Sequence, residues 1–291
     1  MDELDSNPNK CFEMFRMTRP YLLHLVDKLV SHGYLMEGQG GVDATQAVAM
    51  LLYILDHNIQ IRCIVDRFQH LTKTVSDHFR RVLRALHSYA RNLIKLDPDV
   101  VYLPEHLQVN KYWPSFEFIY VRAGWEGSVN DSQVLEEAIG DPKHGFLWPP
   151  TGSYYLVDSG LLIGTSFLPH HKSTRWLLND RLGVLKAHFP ILNLMPNFKR
   201  NRQRYVITAC CCLHNFIRIN NRSDALFNIW DNVEYEGNPV VLPSNGNNGA
   251  STSTANQRHV VEMLEASKRW MAHFRDDITD AMWVDYVARR H

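Results

Sequence analysis

Asp158 closes the stretch Ser153-Tyr154-Tyr155-Leu156-Val157-Asp158-Ser159-Gly160, whose aromatic and aliphatic residues predict a buried strand that turns at once. A carboxylate at the carboxyl end of a central strand points into the crevice where open α/β sheets bind ligands. The plainer role is that of a turn residue, because aspartate starts turns readily. A second candidate is basic. Thr72, read as an N-cap, opens a predicted long helix with Val75, Phe79, Leu83 and Leu86 inward. The outward face carries Lys73, Arg80, Arg81, Arg84 and Arg91, opposed only by Asp77. Such a face suits phosphate contacts from a major groove, and it equally suits the solvated side of a helical bundle. A further cluster, Lys199, Arg200, Arg202 and Arg204, leads into an apolar helix predicted over 205–219 and expected to pack across a sheet. Cys210, Cys211 and Cys212 inside it point about 100° apart, so they cannot all ligate one metal. Cys210 and His214, at i and i+4, have the spacing of a ligand pair; the alternative is small buried hydrophobes.

The elements that must position these groups follow from periodicity. Apolar residues from Cys11 to Val30 have helical spacing, split by Pro20. Gly38-Gln39-Gly40-Gly41 reads as a flexible break, and a helix follows from Asp43. Residues 59–68 form a short predicted helix, and 69–71 connect it tightly to the basic helix, the layout of a helix-turn-helix. Phe116 to Ala123 reads as a second buried strand, Asp131 to Ile139 as a short helix, and the strand at 153–160 then completes a crossover that makes the sheet at least partly parallel. Residues 174–188 are predicted helical. Residues 236–257 are too polar to offset their ordering entropy, and an amphipathic helical tail with Trp270 and Trp283 follows. The expected domains are a helical, helix-turn-helix-like region at 11–95, a partial α/β domain at 96–222, a linker at 223–257 and a tail at 258–291.

Composition sets bounds. The 31 basic and 31 acidic residues cancel, so attraction to a polyanion has to be local. No secretory leader is evident, and no apolar run approaches the ~18 residues of a membrane span. An odd count of five cysteines, three of them adjacent, gives no disulfide framework and suits a reducing compartment.

Residues 118–220 carry four blocks in order. They are Phe118-Ile119-Tyr120-Val121-Arg122-Ala123-Gly124-Trp125-Glu126-Gly127-Ser128 with Asn130-Asp131-Ser132, then 154–160, then Gly183-Val184-Leu185-Lys186 with Phe189-Pro190-Ile191-Leu192, and finally Ala209 to Arg218. Together they resemble the PIF/Harbinger transposases, and especially the Harbinger transposase-derived nucleases of plants. The resemblance implies a ribonuclease-H-like α/β sheet with an Asp-Asp-Glu triad that holds two Mg²⁺ or Mn²⁺ ions for DNA phosphodiester cleavage. It also implies a Myb/SANT-like protein partner and a nuclear location, with the cytoplasm second. Carried over by position, Asp158 matches the second triad aspartate and is the one implied metal ligand. Asn179 stands where the family has its glutamate, and Asp180 is one residue away, rotated about 100° on a helix. The first aspartate has no counterpart, since no Asp lies between Asp99 and Asp131. Asp131 and Asp180 are the candidate secondary carboxylates, and the alternative role of Asp131 is a helix cap. The expectation is a DDE nuclease-like protein without cleavage activity, its sheet lacking the first strands and exposing an unpaired edge at 116–123. The alternative is a relic that binds DNA or protein without catalysis. The residues expected on DNA are Lys73, Arg80, Arg81, Arg84, Lys199 and Arg200.

Overall fold

Pro20 divides the N-terminal apolar run, because its ring and missing N–H are tolerated only in a first helical turn. Helix α1 spans Pro8–Phe15, and α2 spans Arg19–Ser31 with Pro20 at its start. These elements come from a computed structural model, which describes residues 8–95, 117–149, 155–157, 161, 166–169, 183–220, 269–277 and 280. The stretch read as a flexible break is a hairpin instead. Strand β1 (Gly38–Gln39) pairs antiparallel with β2 (Val42–Asp43), and Gly40 and Gly41 take φ of 63° and 76°, as a two-residue hairpin turn requires. Asp43 then caps α3 (Ala44–His57), its side chain accepting from the Gln46 N–H at 2.8 Å. Asn58, left-handed at φ 48°, ends that helix. A 3-10 turn (Ile61–Ile64) runs into α4 (Val65–Phe68), Gln69 stops it at φ 53°, and α5 covers Thr72–Leu93. Thr72 is the first helical residue of α5 and not its cap; that position falls to Leu71, which has no side-chain acceptor.

One unit gathers residues 1–97, 113–124 and 181–232. Its centre is α3, where Val48, Met50, Leu51, Leu52 and Leu55 are all buried. A helix apolar on most sides has to be enclosed, and α1, α2 and α5 pack around it. A helical stretch at 183–188, α7, adds Val184 and Leu185 to the core. Helix α8 (Arg200–Asn220) lies along α5 and seals Ala209, Cys210, Leu213 and Phe216 into the same core. The expectation that this helix crosses a sheet is corrected: its buried face meets helices.

The reading of 116–123 as a strand is corrected too. Among the described residues, 117–124 are irregular. Phe118 and Val121 pack on the helical core, and Asn215 of α8 takes over the role of a neighbouring strand for Phe118. The Asn215 amide accepts from the Phe118 N–H at 2.8 Å and donates to the Phe118 carbonyl at 2.8 Å and the Leu93 carbonyl at 3.0 Å. Since no strand forms among the described residues 117–123, the unpaired edge expected there does not arise in them.

The other unit gathers residues 98–112, 125–180 and 233–291. Within it, α6 covers Asp131–Gly140, and β3 (Tyr155–Val157) pairs in parallel with β4 (Phe167–Pro169), Tyr155 opposite Phe167. Aromatic rings hold the pair: Phe146 lies 5.4 Å from Trp148 and 6.0 Å from Phe167, and the Tyr155 hydroxyl donates to the Leu147 carbonyl at 2.7 Å. Burial pushes the Tyr155 phenol above its usual value. In α9 (269–277), Trp270 stacks on Phe274 at 5.3 Å. The linker, most of the predicted tail and the helical stretch before 183 lie outside the described residues.

Candidate nucleic-acid interface

Helix α5 has 22 residues without glycine or proline, and its apolar positions recur so that Val75, Phe79, Val82, Leu83 and Leu86 all face the core. That fixes what the opposite side presents. At ~100° per residue, Lys73, Arg80, Arg84 and Arg91 fall within about 40° of arc, and the 18 steps from first to last span about 27 Å. All four are exposed. Lys73, Arg84 and Arg91 have no carboxylate partner among the described residues. Arg80 is held in place, its guanidinium bonded to Asp77 and its Nε donating to the Ser76 carbonyl at 3.2 Å. The row therefore holds one tethered cation and three exposed ones.

Arg81 does not belong to this row. It sits on the flank toward the half-turn of His78, half-buried, and its charge bears on that imidazole. Burial first, then Arg81 and His70, hold His78 below the ordinary histidine value, against the pull of Asp77.

Lys199 and Arg200 are exposed where α8 begins. Phe198, just before them, meets Phe79 of α5 at 5.9 Å, and Arg202 covers the Phe198 ring at 5.1 Å. One turn on, Tyr205 packs against His87 of α5 at 4.7 Å. The helices that carry the two basic stretches, more than a hundred residues apart in the chain, thus pack against each other. Two members went unremarked as a pair in the sequence. His87 sits beside the row at the helix boundary, and Arg204 reaches it from α8. The signal for His87 was its place three residues after Arg84 and four before Arg91.

The acidic candidates are not brought together among the described residues. Asp131 lies exposed in the first turn of α6, and the cap expected of it is made by Asn130, which accepts from the Ser132 N–H at 3.1 Å. Strand β3 is described over Tyr155–Val157; Asp158, Asn179 and Asp180 lie outside the described residues. No group of three or more His, Cys, Asp or Glu side chains is arranged to hold a metal ion among the described residues. All five cysteines are free, and Cys63 alone is exposed. Burial pushes the Cys210 and Cys212 thiols well up and Cys211 to about 12, so the neutral thiols pack as small hydrophobes. No described helix is long and apolar enough to cross a membrane.

Residues 1–88 match a family described as a domain of unknown function (DUF8040), a span that ends within α5 before Arg91. No curated protein and no solved structure matches the chain.

Proposed function

We propose that this chain is a Harbinger transposase-derived, DDE nuclease-like protein that binds DNA and does not cleave it. The observation that supports DNA binding is the straight row of Lys73, Arg80, Arg84 and Arg91 on α5. A neutral protein can hold a polyanion only through such a local concentration of one sign. The descent rests on the four sequence blocks, and the loss of cleavage on their departures: no first aspartate, and Asn179 where a carboxylate is needed. A neutral amide binds hard cations weakly, and Asp158 by itself cannot hold two of them. Mg²⁺ or Mn²⁺ belongs to the family's chemistry and is not needed for the binding proposed here. The reading places the protein in the nucleus, where a Myb/SANT-like partner supplies sequence choice that backbone contacts do not.

The test is fluorescence anisotropy with a labelled 20-base-pair duplex. About four neutralised phosphates give a log–log salt slope near −3.6. Absence of binding at low salt would overturn the reading. A second reading, a metal-dependent nuclease, has in its favour the sequence match of Asp158 to the second triad aspartate. Nicking of supercoiled plasmid in Mn²⁺, abolished by Asp158→Ala, would establish it.

A further inference from the structure

Between α5 and α8 lies a histidine surrounded by positive charge. The His87 ring packs on Tyr205, its Nδ1 is buried without a hydrogen-bond partner among the described residues, and the charges bearing on it are Arg91 of its own helix and Arg204 of α8. Arg204 is directed by its surroundings. Its stem lies over Gly124, where an added Cβ would sit 2.4 Å from Arg204 Cδ, and Gly124 holds φ +112°, a conformation glycine alone adopts easily. A side chain at 124 would displace the Arg204 side chain from this position.

We propose that Arg204 and His87 widen the α5 row into a two-helix track for nucleic-acid phosphates, and that a phosphate seated between Arg91 and Arg204 is bound together with one proton taken up by His87. This rests on the DNA-binding reading and names the second helix that reading lacks. The physical basis is direct. In the free protein, burial, then Arg204 and Arg91, hold the imidazole below the ordinary histidine value. A phosphate there offsets the two cationic contributions and offers the ring an acceptor, so the imidazolium is more favoured with the phosphate bound than without it. The proton moves from solvent to the ring, no bond to the phosphate forms, and by linkage the affinity rises as pH falls toward the ordinary histidine range near ~6.5.

The experiment measures duplex affinity of the full chain by anisotropy between pH 6.0 and 8.0 and across a salt series. It uses wild type, Arg204→Gln and His87→Gln, each checked for helix content. Wild type is expected to tighten as pH falls, with a slope of log K on pH between 0 and about −1 for one proton. His87→Gln flattens that part of the pH dependence while keeping the salt slope. Arg204→Gln reduces the salt slope by about one. NMR titration adds a readout that a purely structural histidine would not move: the His87 ring titrates at higher pH with DNA than without. An unchanged salt slope in Arg204→Gln, or an unchanged pH profile in His87→Gln, overturns this inference and leaves the α5 reading standing. Binding to heparin but not to the duplex overturns both.

Discussion

Asn215 gives its whole amide to the backbone of other segments, one bond accepted and two donated. Because the groups it serves are partly buried, removing it leaves donors and acceptors without water to replace it. Asn215→Ala is expected to cost about 2–4 kcal/mol, from two or three unsatisfied groups at 1–3 kcal/mol each with partial relaxation. Asn215→Asp should do at least as much damage at pH 7, since a carboxylate faces the Phe118 and Leu93 carbonyls with nothing to donate. Urea unfolding of the three proteins measures both. The residue was visible in the sequence as a polar interruption of an apolar helix, but its role was not, because Phe118 lies 97 positions away and no local pattern links them.

The row on α5 was legible because helical period alone sorts its charges from its core. What period alone blurred was Arg81, which the sequence grouped with the rest and the packing turns toward His78. That difference is measurable. Arg84→Ala is expected to lower the magnitude of the DNA salt slope by about one, while Arg81→Ala leaves it nearly unchanged. Equal effects from both would place the contact face elsewhere on the helix. The misread element was 117–124. Phe-Glu-Phe-Ile-Tyr-Val has strong β preference, but that preference describes a fit to a pleated surface, and here the surface on offer is a helical core. The site's acidic half was legible only as spacing and resemblance, which do not bring residues together.

At the scale of the molecule, the helical unit is completed by segments far down the chain, 117–124 and 183–220, so its stability is that of a cooperative whole. Two of its histidines, His78 and His87, are held below their ordinary values, chiefly by burial. The sign follows: each is protonated more easily unfolded than folded, so stability is fully present above about pH 6.5 and is lost as pH falls below it toward the folded values. Denaturant unfolding at pH 7.5 and 5.5, without DNA, should show the acid sample weaker, and His78→Gln with His87→Gln should narrow the gap. An acid sample as stable as the neutral one would mean that compensating carboxylates dominate.

The burial of four thiols and the exposure of Cys63 turn the chain into its own clock. At pH 8 a thiol with a pKa of about 12 is ionised to about one part in ten thousand, so Cys211 is chemically silent while the helices stay closed. Addition of a chromogenic disulfide such as Ellman's reagent should register one fast thiol per chain, then four more at the speed with which α1 and α8 part from the core. In excess reagent that slow phase becomes independent of reagent concentration, and its rate is the opening rate of the helical unit, read without denaturant or label.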